Sequence, residues 1–358
     1  MRVRRGLGGL LLGAAVLASG CDDKVKLAGI AGSSGGTGGA GDTGTGGAGT
    51  GGAGMGGTGG MGGMGGAGMG GMAEVTSAAR ASGLRAPSDA VPSPDGTTLY
   101  FTSIDTDGKG AVYKVPCAGG TPSKLETGFS SPVALAVSTD GATLYVADIG
   151  YDNGTDATAD GVIYTVASAG GAKAALDSTK GYRPRALDVA SDAGADAVYF
   201  SGNDKTSGAA GVFKWKGGMT TAVVMTGLSE PSGLAVATGG DIYVADVGKT
   251  WSSIKKISGG AAADWVGGLK LGYPAGVAVS ADGSKVWASA TDPATGHMVL
   301  LEMASSGQSM GVFDSGKDDA DPAGLHRAHT VGKLTWVTAS DTGGTVYEVA
   351  PAGAQLCM

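Results

Sequence analysis

One phrase recurs six times along the chain, and its spacing limits the possible folds more than any other feature. The copies open at Pro87, Pro132, Pro184, Pro231, Pro274 and Pro322. Periods of about 40–50 residues are the mark of propellers and of repeat arrays. The clearest copy reads Pro132-Val-Ala-Leu-Ala-Val-Ser-Thr-Asp-Gly-Ala-Thr-Leu-Tyr-Val-Ala-Asp148, followed after a loop by Gly161-Val-Ile-Tyr-Thr-Val166. Short β-branched runs alternate with turn residues. Asp95-Gly96, Asp140-Gly141 and Asp282-Gly283 supply the positive φ angles that a tight hairpin needs. Each copy is therefore expected to be an antiparallel meander, and six of them to form an all-β six-bladed β-propeller of four-stranded blades.

In the first blade the expected strands are 89–91, 99–102, 111–115 and 123–127. An aromatic residue follows in the second strand of each copy: Tyr100, Tyr145, Tyr199, Tyr243, Trp287 and Trp336. A ring at one fixed depth is expected to fill the wedge between neighbouring blades. The sixth copy runs out of chain after three strands (324–328, 334–338 and 345–349). The stretch Glu74 to Ala86 resembles the end of another blade, Val223 to Glu230, so it is expected to complete the last blade. Joining the two ends removes the open edges of a broken circle.

The pattern Pro, Gly-Leu-Ala-Val, Asp-Gly, Leu-Tyr-Val-Ala-Asp is similar to NHL-type repeats and to the six-bladed group that includes gluconolactonase and regucalcin-like proteins. The resemblance covers about residues 74–358. It implies the propeller fold, and for the enzymes of the group a divalent cation held by a Glu near the start of blade one and by Asn or Asp from later blades. Here the corresponding opening is Ser88-Asp89-Ala90, and Asn occurs only at Asn153 and Asn203. The superfold carries enzymes and binding modules alike.

Ahead of the repeats lies a different kind of chain. Arg2, Arg4 and Arg5 precede an apolar run from Leu7 to Ala18, which reads as a secretory signal over residues 1–20. Leu17-Ala18-Ser19-Gly20-Cys21 resembles the bacterial lipobox, which implies lipidation of Cys21 and an exported protein anchored to the cell envelope; the alternative is an ordinary cleaved signal. Residues 21–73 are dominated by glycine and cannot bury enough apolar surface to fold. A Gly-rich tether of about 45 residues has a root-mean-square span of roughly 35–40 Å. The net charge of −7, with no Lys/Arg cluster beyond Lys255-Lys256, argues against nucleic acid as a partner.

With Cys21 carrying lipid, the other two of the three cysteines form an even set. Cys117 follows the third strand of blade one and Cys357 the third strand of blade six. Closure makes those blades neighbours, so a Cys117–Cys357 disulfide is expected, against two free thiols.

Candidate chemistry is confined to strand ends and the central channel. Asp148 and Asp246 share one place after the second strand, and Asp105, Asp204, Asp292 and Asp341 share another two residues on. Such carboxylates either ring a hard cation such as calcium or bond their own turns. The acidic loop from Gly150 to Gly161 offers Asp152, Asp156 and Asp160 as a further candidate calcium site. Among three histidines, His326 aligns with Asp188 of blade three and with Ala136, Ala235 and Ala278 elsewhere. Blades three and six face each other in a ring of six, which points Asp188 and His326 into one channel, either sharing a metal or lining a wet passage. No nucleophile elbow, phosphate loop or zinc motif accompanies them. The expected role is a binding module for a protein, glycan or small ligand, with a cation-dependent hydrolase or lyase of the gluconolactonase-like group as the alternative.

Overall fold

The structure, a computed structural model, describes residues 76–150, 161–271, 275–314, 321–339, 343–350 and 355–357. The signal segment, Cys21 and the glycine tether lie outside these residues. So do Pro274, Asp341 and the acidic-loop residues Asp152, Asp156 and Asp160. No helix among the described residues is long and apolar enough to cross a membrane.

The first strand, β1 (Thr76–Leu84), stands apart from the blade that follows it. Blade one holds β2 (Ala90–Pro92), β3 (Thr98–Ile104), β4 (Gly110–Pro116) and β5 (Ser123–Phe129). Blade two holds β6 (Pro132–Val137), β7 (Thr143–Asp148), β8 (Val162–Ala167) and the short β9 (Ala174–Ala175). Blade three is built from β10 (Ala186–Asp192), β11 (Ala195–Asn203), β12 (Ala210–Lys216) and β13 (Met219–Val224). Blade four is β14 (Pro231–Val236), β15 (Ile242–Asp246), β16 (Ser252–Ser258) and β17 (Ala261–Leu269). Blade five is β18 (Val277–Val279), β19 (Lys285–Thr291), β20 (Met298–Ala304) and β21 (Ser309–Asp314). The last blade contributes β22 (Asp321–Arg327), β23 (Leu334–Ala339) and β24 (Gly344–Ala350).

Every sheet has four strands, and five of them are simple meanders; the sixth runs β1-β24-β23-β22. The N-terminal strand thus closes the ring, as the missing fourth strand of the sixth copy predicts. Thr76 faces Ala350 and Ala79 faces Tyr347 in antiparallel register. The hairpin glycines Gly96, Gly141 and Gly283 have φ of 68°, 77° and 71°. Beside each, a serine hydroxyl and an aspartate carboxylate tie the turn: Ser93 donates to Asp95 and Ser138 to Asp140, both at 2.6 Å.

The core consists of six apolar layers between blades. Tyr100 of blade one packs on Leu135, Val137 and Val146 of blade two, and Tyr145 in turn on Leu187, Phe200 and Phe213 of blade three. Burying both faces of each sheet in this way is what only a closed ring achieves. Trp336 departs from the expected place. Ala136 pairs with Tyr145 and Leu135 with Val146, whereas His326 pairs with Thr335 and Leu325 with Trp336. Strand side chains alternate between faces, so Trp336 turns toward blade five and packs with Trp287 and Leu300. Thr335 holds the aromatic place at the seam between blades six and one, where its hydroxyl donates to the Ala90 carbonyl at 2.7 Å.

The seam carries further ties. Cys117 and Cys357 form a disulfide across 240 residues. Beside it Glu348 of β24, fully buried, accepts two bonds from the Arg80 guanidinium of β1 at 2.9 and 2.7 Å and lies 3.2 Å from Lys333. Cross-linking so long a loop removes much of the conformational freedom of the unfolded chain. Cys357→Ser should therefore lower the unfolding free energy by about 3–5 kcal/mol. Urea titration of the oxidised protein and the variant measures this, and coincident midpoints would contradict it.

Candidate functional site

All six blades meet at a narrow cavity on the ring axis. Its wall is made by residues at or just before each innermost strand: Asp89, Ala134, Arg185, Gly233, Gly276 and His326 among them. Small residues dominate because the inner strands converge there. A Cβ at Gly233 would lie 1.9 Å from the Ala275 carbonyl oxygen, and one at Gly324 only 1.6 Å from Asp89 Oδ1. The free space inside is about 10 Å³, room for roughly one water molecule and far below the roughly 300–1,000 Å³ of ordinary small-molecule sites.

Asp89, 2 % exposed, is the centre of the polar network. Its Oδ1 accepts from its own neighbour Ala90 N at 2.9 Å, and its Oδ2 from Leu135 N of blade two at 2.8 Å. The same Oδ2 lies 3.0 Å from His326 Nε2 of blade six. One carboxylate therefore links three consecutive blades. Asp188 does similar work on the far side, accepting from Val189 N at 2.8 Å and from Val236 N of blade four at 2.7 Å. An innermost strand has an unpaired edge, and these carboxylates satisfy amides that would otherwise be orphaned.

His326 is buried, which by itself disfavours the imidazolium, but the charge and hydrogen bond of Asp89 and the charge of Asp188 outweigh burial and raise its pKa above 6.5. His326 lines the axial cavity, whereas Asp188 is not among its lining residues. The partner His326 touches is Asp89, which the alignment of copies did not single out because the neighbouring copies hold Ala134, Ala186 and Gly324 in that place. At the opposite mouth His329, on the β22–β23 hairpin, reaches past blade one to the Val137 carbonyl at 3.3 Å.

The rim aspartates are spent on turns. Asp148 accepts from Ser130 N and Ser131 N at 2.8 Å and from Gly150 N at 3.1 Å. Asp246 accepts from Ser229 N and Glu230 N, both at 2.8 Å. Asp105 binds Asp107 N, Lys109 N and the Thr127 hydroxyl, and that hydroxyl and the Lys109 amide chiefly hold its carboxyl down to about 2. Asp204 and Asp292 bond the amides of their own loops in the same manner. Calcium takes about six to eight oxygens free to face it, and the oxygens of the described channel and rim aspartates are already turned to N–H and hydroxyl groups of the protein. This donor set does not fit the ion. Among the described residues, the three-membered cluster of metal-capable side chains is Cys117, Glu348 and Cys357, two of which are the disulfide pair.

Two guanidinium atoms have no such commitments. Arg185 Nη1 and Arg183 Nε are buried without a hydrogen-bond partner, a state that costs about 1–3 kcal/mol per neutral group and more for a charged one. Arg183 also stands at φ 48° in the connection entering blade three. Neither residue stood out in sequence, where an isolated Arg before a strand reads as a solvated loop residue.

Residues 228–250 match the NHL repeat family. That stretch is the entry to blade four with strands β14 and β15. The whole ring is similar to an X-ray structure described as a putative gluconolactonase, with TM-score 0.56 and 17 % identity over 78 % of this chain and 93 % of that one. A gluconolactonase from Xanthomonas campestris gives TM-score 0.56 and 16 % identity over 78 % and 90 %. The PQQ-bound aldose sugar dehydrogenase from Streptomyces coelicolor gives TM-score 0.57 and 14 % identity over 77 % and 99 %. Such likenesses establish the six-bladed fold shared with gluconolactonase-like propellers. No curated protein matches the chain.

Two outcomes test the channel network. Gly324→Ala should push Asp89 away from both Leu135 N and His326 and destabilise the fold by about 2–4 kcal/mol by urea titration; a neutral substitution would contradict the packing. The raised pKa of His326 stabilises the fold fully below 6.5, its ordinary value, and that contribution disappears as pH rises through the higher folded value. Unfolding free energy should therefore fall over this window in the native protein and flatten in His326→Gln. Equal slopes would remove the imidazole–carboxylate pair from the account.

Proposed function

We propose that this propeller is a non-enzymatic binding module, held outside the cytoplasm by lipid on Cys21 and by the glycine tether, with its ligand engaged at the channel mouth. One observation carries this reading. The channel carboxylates accept backbone N–H groups from adjacent blades, and the space they leave is too small for a sugar-sized substrate. A rigid ring with a plugged centre presents its loops as a recognition face, whereas catalysis needs donors free to meet a reacting group.

A second reading, hydrolysis of the gluconolactonase kind, is favoured by the Asp89–His326 pair together with the neighbours named above. Lactone hydrolysis by the full chain, followed with calcium, zinc or a chelator present, separates the two. The binding reading predicts rates equal to buffer in every arm. Cation-dependent turnover that falls about a hundredfold or more in Asp188→Ala, a loss of roughly 2.7 kcal/mol, would overturn it. The lipid anchor is tested by mass spectrometry of the purified protein's N-terminal peptide: an acylated Cys21 is expected, and an unmodified residue there contradicts it.

A further inference from the structure

We propose that a cleft on the hairpin face, between blades five and six, is a binding site for a small ring-bearing carboxylate whose charge is met by Arg327. The inference rests on the binding reading and gives its ligand a place and a chemical class.

The cleft is lined by Ser280 and Ala281 of the β18–β19 hairpin, by Trp287 of β19, and by Arg327, His329 and Val331 with their neighbours at the β22–β23 hairpin. Strand alternation sets the place of Arg327. Leu325 packs with Trp287, Leu334 and Trp336 in the layer between the two blades. Arg327, two residues on and in regular pairing with Leu334, shares that face. It stands half-buried at the end of the layer, where Thr330, Val331 and Gly332 of the hairpin are exposed. The side chain therefore borders a space that solvent reaches.

A guanidinium keeps its charge at every physiological pH. Among the described residues the acceptors of Arg327 are two neutral carbonyls, both met through Nη1: Ala328 O at 3.2 Å and His329 O at 3.3 Å. The other polar groups of the wall are turned elsewhere. The Ser280 hydroxyl donates to Asp282, the Thr330 hydroxyl to the Pro94 carbonyl and the Trp287 indole N–H to Glu302, while His329 Nε2 faces the Val137 carbonyl. Asp282 also accepts from Ser284 and is not part of the wall. What remains is one cation beside the apolar surfaces of Ala281, Trp287, Val331 and Leu334.

Size and charge narrow the choice of ligand. The cleft has a volume of about 160 Å³, close to the roughly 150 Å³ of an engineered apolar cavity in another protein that takes up benzene. One six-membered ring fits. The planar fork of Arg matches a carboxylate through two parallel N–H···O bonds, and the ring displaces water from the apolar wall. The two together select a ring with a carboxylate over a neutral ring or a bare carboxylate.

Calorimetric titration of the full chain with benzoate, benzamide and acetate, at ionic strength matched with chloride, tests the proposal. Saturable binding of benzoate is expected. Benzamide, which keeps the ring without the charge, and acetate, which keeps the charge without the ring, should each bind at least tenfold more weakly. Benzoate affinity should fall at least tenfold in Arg327→Met and recover in part in Arg327→Lys. Ala281→Phe, which fills the cleft from an exposed hairpin position and leaves Arg327 in place, should abolish it. Absence of saturable benzoate binding, benzamide or acetate binding as tightly, or affinity indifferent to Arg327→Met and Ala281→Phe would overturn the proposal. The comparison of the three probes needs no variant, so it decides even where a substitution unfolds the chain. Failure here with no lactone turnover removes this cleft alone, whereas cation-dependent turnover removes the binding reading beneath it.

Discussion

Pairing of Thr76–Leu84 with Gly344–Ala350 is the constraint on which the rest of the molecule depends. Each blade hides two broad apolar faces, and a row of such sheets has two faces left over unless its ends meet. The closing strand supplies the fourth strand of blade six and brings Ala81 into the layer that packs on Leu99, Phe101 and Val115 of blade one. Arg80, from the same strand, reaches the buried Glu348. Without closure that carboxylate would lose its strongest partner, and the Cys117–Cys357 link would have no seam to span.

The same closure creates the channel chemistry. Asp89 contacts residues 46 and 237 positions away in the chain, one in the next blade and one in the last. The second of these exists only because the ring returns on itself. The inner strands leave backbone amides unpaired on the axis, and acidic residues placed there serve first as structural acceptors. That economy is why the fold resembles enzymes in outline while the donors in its centre are already engaged.

Much of this was legible in sequence because propeller repeats write their period, turns and strand faces locally. The Asp-Gly hairpins, the six blade entries and the strand shortage at the C-terminus each follow from neighbouring residues, and the shortage led to both the closing strand and the disulfide. What sequence alignment missed depends on register and distance. Trp336 sits one residue beyond the place of Tyr145, and a single step in a strand changes the face. Asp89 stands among positions that are otherwise Ala or Gly, so its role as a three-blade link appears only in three dimensions. Arg185 is notable for a partner it lacks, which no pattern of residues records.

The closing strand can be interrogated most directly by native-state hydrogen exchange on the full chain. If β1 completes blade six, amides within Thr76–Leu84 that donate to β24 should be protected to the same free energy as those of β23 and exchange only with global unfolding. Exchange of those amides at the rate of an unstructured peptide, while β23 stays protected, would contradict the closed ring.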